Sequence, residues 1–168
     1  AIPIYWAAEA SAKLGLPVML TGQEGDELFG GYRRYLTIYG RAGAEALLDQ
    51  MFQDVRDSYK VNFQRDEQVC ACHGVELRTP YTDLEVVDFA LRLPLNLKIQ
   101  SPEDRLRKRI LRRTAQALGI PELIAYRPKK AAQYATGVDA ALRRLARREG
   151  LTAGEFILKV FRRVFGFM

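Results

Sequence analysis

The stretch Leu20–Tyr32 reads LTGQEGDELFGGY. It follows the apolar run Pro17–Leu20 and sets two adjacent carboxylates, Asp26 and Glu27, among four glycines. A short apolar run closed by a glycine predicts a β-strand over LPVMLTG. The acids then fall just past its carboxyl end, in the first turn of a following helix, where the helix dipole favours negative charge. One strand with helices on both sides in sequence predicts a parallel sheet, and parallel sheets are buried. In open α/β sheets, ligands bind beyond the carboxyl ends of the strands. Gly22 and Gly25 let the backbone approach a ligand there. Adjacent carboxylates repel each other unless a positive charge lies near. Magnesium suits Asp26 and Glu27 where phosphates also bind, because it takes one or two carboxylates and completes its shell with phosphate oxygens and water. An acidic first turn that only caps a helix is the competing reading.

Outward from this stretch, the pattern is helical. A helix is expected over about Pro3–Leu14, with Pro3 in its first turn and Gly15 at its end. DELFGGYRRYLTIYG reads as one helix, with Gly30 and Gly31 marking close packing or a bend. Further helices are expected from Ala42 to about Tyr59, over FQRDEQVCACHG to Gly74, and from about Asp83 to Leu93, where Pro94 stops it. VELRTPYTD between them reads as extended or looped, because Pro80 disfavours a helical residue before it. SPEDRLRKRILRRTAQALG reads as one helix capped by Ser101, with Pro102 at its first position and Gly119 at its end. PELIAYRPKKAAQYATG reads as a short helix followed by an irregular, lysine-containing loop. Two basic amphipathic helices finish the chain, the second opening on a TAGE capping box. Only one strand is clear, so the other strands of its sheet are expected from elsewhere. The chain opens on Ala1 within a helix pattern, which reads as a processed or excised start.

Of the 168 residues 48% are hydrophobic, enough for a packed core and against general disorder. No apolar run approaches the roughly 18 residues of a membrane span, and no secretory signal is visible. The net charge is +6, with the excess bases late in the chain. A basic surface suits phosphate-rich partners such as nucleotides, pyrophosphate or nucleic acid; solvated helix faces are the plainer reading. Cys70 and Cys72 flank one residue on a helix, so they lie on different faces and read as two reduced, buried thiols of a cytoplasmic protein. His73 beside them is the only histidine.

Four segments together resemble one family. LTGQEGDELFGGYRRY is similar to S-G-D/E-G-A/S-D-E-L/V-F-G-G-Y in the C-terminal synthetase domain of asparagine synthetases. GVELRTPYTD resembles that family's G-V/L-E-x-R-x-P-F/Y-x-D, and LPLNLKI its L-P-x-x-x-K. RKRILRRTAQALGIPELIAYRPKKAAQY resembles its K-x-I/L-L-R … P-x-x-I/L-x-x-R-x-K. The four occur in the family's order over about residues 3–138, which divides the chain into 1–138 and a basic helical tail, 139–168.

The resemblance implies an α/β fold of the adenine nucleotide alpha hydrolase-like, PP-loop ATP pyrophosphatase type. This chain would be its mostly helical C-terminal part, with one clear parallel strand. It implies an ATP-dependent amide-forming ligase that adenylates a carboxylate such as aspartate, releases pyrophosphate, and lets ammonia displace AMP. ATP and Mg2+ are the implied cofactors. Asp26 and Glu27 would hold the magnesium-pyrophosphate, and Lys129 would stabilise charge in the transition state. Gly22, Gly25, Arg78, Asp83 and Lys108 fall on motif positions near the nucleotide. Asp83 reads equally as a helix cap, with Arg78 as its partner.

Two departures stand out. Gln23 replaces the family glutamate thought to assist proton transfer from ammonia, and glutamine cannot do so; Glu24, where a glycine is usual, is the substitute candidate. The S-G-G-x-D-S nucleotide loop and a glutaminase start are absent from these residues. The implied partners are therefore the upstream half of the domain, in cis or in trans, and a glutaminase domain or subunit, with neither membrane nor nucleic acid expected. The alternatives are a β-lactam synthetase-like or RNA-modifying PP-loop relative, and a non-catalytic basic binding module.

Overall fold

A computed structural model of the chain describes residues 2–166, without the side chain of Gln133. Within the described residues, 3–129 and 130–166 form two compact units.

In the first unit, α1 (Ile2–Lys13) leads to β1 (Val18–Leu20), as the pattern predicts. β1 is not alone: β2 (Glu76–Arg78) pairs with it in parallel, with Met19 opposite Leu77. The expectation that every other strand comes from elsewhere is thereby corrected. Pro80 ends the extended segment without preventing a strand before it. Val75 packs with Ala8 and Cys70, and Met19 and Leu77 pack against that cluster, which fixes the register.

α2 (Gly25–Phe29) and α3 (Arg33–Ser58) replace the single helix expected over DELFGGYRRY. Gly30 adopts φ 75° and ends α2, and the Gly31 N–H closes the turn on the Asp26 carbonyl at 2.7 Å. A Cβ on Gly31 would lie 1.8 Å from Asp26 Oδ1, so the bend has a packing cause. α3 is itself interrupted at Gly43 (φ 86°). A π-helical turn, Tyr59–Phe63, joins it to α4 (Gln64–Ala71).

Asp83 caps α5 (Leu84–Arg92), its Oδ1 accepting from the Glu85 N–H at 2.9 Å. α6 (Leu95–Lys98) follows. The helix expected from Ser101 does not start there. Residues 101–108 form a loop, and α7 (Arg109–Ala117) begins after it. Ser101 and Asp104 do act as caps, but of local turns: Ser101 Oγ accepts from Glu103 N–H, and Asp104 Oδ1 from the N–H groups of Leu106 and Arg107. Such side-chain bonds give the backbone an alternative to a helix. α8 (Glu122–Ala125) ends the regular structure of this unit.

Two hydrophobic clusters support α2 and its neighbours. Leu28, Phe29 and Ala90 are buried with Val55, Tyr81 and Ile110 against them, and Tyr35, Leu47, Met51 and Ile99 form the second. Cys70 is buried, whereas Cys72 is exposed, which corrects the expectation for that thiol.

The second unit contains α9 (Ala132–Ala135), α10 (Val138–Arg148) and α11 (Ala153–Phe165), with α10 packed on both others. The expected capping box opens α11, between Thr152 and Glu155. Among the described residues no helix is long and apolar enough to cross a membrane.

Candidate active site

Asp26 stands between two lysines. Its Oδ1 lies 2.7 Å from Lys108 Nζ and its Oδ2 lies 2.9 Å from Lys129 Nζ. The three side chains are 20–23% exposed, so the group is sheltered but reachable from solvent. Burial pushes the Asp26 carboxyl up, but the Lys108 and Lys129 ammoniums outweigh it and hold it below the usual carboxylate range. Two ammoniums against one carboxylate leave a net positive charge, which suits an anion rich in oxygen.

The loop that replaces the expected helix start delivers Lys108. Arg107 and Lys108 both adopt left-handed φ, 54° and 49°. Such residues persist only where the surroundings over-determine them. Here Arg107 Nε donates to the Gly31 carbonyl at 3.0 Å, and Arg112 collects four carbonyls. Its guanidinium donates to Leu106, Arg107, Ala125 and Arg127 at 2.7–2.9 Å. Leu106 and Arg107 precede Lys108; Ala125 and Arg127 precede Lys129. Arg112 is therefore the clamp that sets both lysines. It is the arginine of the K-x-I-L-R segment, and sequence reasoning gave it no role. Arg112→Met should keep the stem packing but orphan these carbonyls, lowering stability by about 2–4 kcal/mol in urea unfolding.

Glu27, beside Asp26, has different partners. It is 4% exposed, and its Oε1 accepts from the Tyr32 hydroxyl at 2.5 Å and from Asn62 at 3.4 Å. The Tyr32 ring lies 5.2 Å below Lys129 Nζ, so Glu27 orients the ring on which Lys129 rests. Asp26 is thus the accessible carboxylate of the pair. Gly25 packs under Tyr81: a Cβ there would come 3.2 Å from the ring, and one on Gly22 would be 4.0 Å away.

The remaining sequence candidates separate. Gln23 donates to the Asp66 carboxylate, which is fully buried and also held by Arg65. Arg78 pairs with Glu76 at 2.8 Å, not with Asp83. Asp83 serves its cap. Neither Arg78 nor Asp83 bonds to Asp26, Lys108 or Lys129. Lys98, the lysine of the L-P-x-x-x-K segment, was overlooked: it is 1% exposed, and burial pulls its ammonium down to about 8.

Among the described residues no three acids, histidines or cysteines cluster to form a metal cage. Asp26 nonetheless suits magnesium bound with phosphates. Its Oδ1 is buried and, though close to Lys108, lacks a well-directed hydrogen bond. It is a hard oxygen donor beside two ammoniums that can take phosphate oxygens.

Glu24 occupies the family's glycine position with φ 70°, the left-handed backbone a glycine accepts without strain. It is 3% exposed. Burial, then the Glu27 and Asp54 charges, push its carboxyl up to about 7, with the Ser58 hydroxyl pulling back. A carboxyl raised in the fold adds stability in its protonated form. That stability is fully present below the ordinary value of about 4.5 and is lost as pH rises through about 7. Wild type should lose up to about 3 kcal/mol between pH 4.5 and 8 from this group. Glu24→Gln should flatten the profile, and Glu24→Gly should also relieve the backbone. Chemical denaturation across this pH range is the check; equal slopes in wild type and Glu24→Gln would refute the assignment.

Known proteins resemble this chain in sequence over most of its length. The asparagine synthase family model matches residues 1–55 and 40–153. A protein of Methanocaldococcus jannaschii whose name reads in part asparagine synthetase, glutamine-hydrolyzing, 1 is 38% identical over 90% of this chain and 33% of its own length. Asparagine synthetase domain-containing protein 1 of Mus musculus is 34% identical over 78% of this chain and 21% of its own. Asparagine synthetase B, glutamine-hydrolyzing, of Escherichia coli is 27% identical over 81% and 23%. The chain therefore spans a third or less of the length of these relatives. With the family model covering both compact units in large part, the chain belongs to the asparagine synthase family.

Proposed function

We propose that this chain is the C-terminal, phosphate-binding part of a PP-loop ATP pyrophosphatase domain in an ATP-dependent amide ligase. The observation that carries the reading is Asp26 held between Lys108 and Lys129 at the end of a parallel strand. The reaction is adenylation of a carboxylate, with aspartate first among candidates, followed by attack of ammonia. The glycine-rich nucleotide half comes from outside these residues, in cis or in trans, and a glutaminase domain or subunit supplies the nitrogen in a cytoplasmic setting.

The roles follow from charge. Attack on the α-phosphorus places negative charge on phosphate oxygens. Lys129 and Lys108 move from Asp26 to those oxygens, and Asp26 is left to hold the metal. Magnesium, when bound, would neutralise phosphate charge; Asp26 would hold it, with Glu27 adjacent and bonded to the Tyr32 hydroxyl. Preorganised charges of this kind act on the transition state, because they need no reorganisation at the moment of reaction. Gln23, bonded to Asp66, anchors the loop and cannot move the ammonia proton. Glu24 is the acid of this loop able to exchange a proton near neutrality.

The test is magnesium-dependent ATP–pyrophosphate exchange in the protein that joins this chain to its nucleotide half. Exchange stimulated by aspartate supports the reading. No exchange with any carboxylate, together with salt-sensitive RNA or anionic-vesicle binding that ignores nucleotide, would favour the basic binding module instead.

A further inference from the structure

A groove on the first unit lies outside the group formed by Asp26 and its two lysines. It encloses about 760 Å3, within the roughly 300–1,000 Å3 of small-molecule sites. α3 supplies one wall, and the loop at residues 101–108 supplies the other. Three guanidiniums line it, those of Arg33, Arg105 and Arg107, against one carboxylate, Glu103. Asp26, Lys108 and Lys129 are not part of its lining.

The positive charge is not neutralised from within. Among the described residues, neither Glu103 nor any of the three arginines has an ion-pair partner. Arg107 is the deepest of them, at 7% exposed. Burial pulls its guanidinium below the usual range, the Asp104 and Asp26 charges oppose this, and the nearby Arg33 charge adds to the lowering. Both of those acids are committed elsewhere. Asp104 accepts from the backbone N–H groups of Gln100, Leu106 and Arg107, and Asp26 is held by Lys108 and Lys129. A guanidinium has five N–H donors. Arg107 spends the one on Nε on the Gly31 carbonyl, and those on its two terminal nitrogens have no acceptor among the described residues. Like charges gathered around one groove, with a buried fork left open, call for a counter-charge.

We propose that this groove is a second anion site, which takes the phosphate of a small phosphate monoester. A guanidinium presents a planar fork to phosphate oxygens. Three forks suit the three terminal oxygens of a monoester better than the two oxygens of a carboxylate. Thr37 adds a hydroxyl, and Leu36 and Pro102 add an apolar wall for the body of the ester. The left-handed turn at Arg107 and Lys108 then serves two sites: it brings Lys108 to Asp26 and sets Arg107 against the groove. The site does not rest on the ligase reading.

The experiment is an amide-shift titration of the 168-residue chain with phenyl phosphate, against sodium chloride at equal ionic strength, at a pH where the ester is a dianion. Saturable shifts at Arg33, Leu36, Thr37, Glu103 and Arg105 are expected with the ester alone. The double variant Arg33→Gln, Arg105→Gln removes two exposed charges and leaves the Arg107 bond to Gly31 in place. It should weaken binding at these amides at least about tenfold, while Lys129→Ala leaves it unchanged. Inorganic phosphate, which lacks the body, should bind more weakly, and succinate more weakly still. No saturable response, shifts confined to the surroundings of Asp26 and lost in Lys129→Ala, or unchanged binding by the folded double variant overturns the proposal. Inorganic phosphate or succinate binding as tightly as the ester overturns the monoester assignment. Absent pyrophosphate exchange would remove the ligase reading and leave this titration unaffected, so the two fail separately.

Discussion

Lys129→Ala should lower the rate of magnesium-dependent pyrophosphate exchange by about a hundredfold or more, the scale for removing one preorganised electrostatic stabiliser. Nucleotide affinity should fall far less, because the ammonium matters most when charge builds on the phosphate oxygens. Lys129 Nζ lies 2.9 Å from Asp26 Oδ2 and over the Tyr32 ring, so it is already placed. The alanine variant leaves Asp26 paired with Lys108 alone, and the net positive charge disappears. Stability should change little, since partly exposed ion pairs contribute about 0–1 kcal/mol. Lys129→Arg should recover only part of the rate, as a planar fork does not replace a compact ammonium. Lys130→Ala should have a small effect. A large loss at Lys130 with none at Lys129 would show that the wrong lysine had been chosen.

The site was legible where local chemistry dictates it. An apolar run ending in glycine gave β1, and two acids after it gave the turn at Asp26. What the sequence concealed depends on contacts distant along the chain. β2 was hidden because three residues with one partly buried side chain give too short an alternation to read, and it is the partner strand that makes them a strand. The loop at residues 101–108 was hidden because Ser101 and Pro102 are good helix openers. Their local preference is overridden by Asp104 capping two following amides and by Arg112 binding the carbonyls of Leu106 and Arg107. The strain at Arg107 and Lys108 is the physical cost of bringing Lys108 to Asp26. Glu24 gave a signal, a charged residue where the family has glycine, but only the structure shows that it is buried in a left-handed turn.

Asp26→Asn should abolish exchange while leaving the fold intact. The substitution isolates charge from structure. Asp26 lies in the first turn of α2, which has no side-chain cap hydrogen bond, so for the helix alone the substitution removes only a small favourable interaction with the dipole. The backbone turn is also independent of the side-chain charge, because it is the Asp26 carbonyl that receives the Gly31 N–H at 2.7 Å. What changes is the electrostatics. The two ammoniums, until now neutralised in part by one carboxylate, face a neutral amide and repel each other. With side chains about one-fifth exposed, solvent screens much of this, and a loss of about 1–2 kcal/mol is expected in thermal unfolding. The catalytic loss is larger because an amide is a poor magnesium ligand, so charge and geometry vanish together. Far-ultraviolet circular dichroism and thermal unfolding test the fold, and pyrophosphate exchange tests the chemistry. Normal exchange in a folded Asp26→Asn protein would falsify the metal assignment and return Asp26 to a helix-start residue held by two lysines.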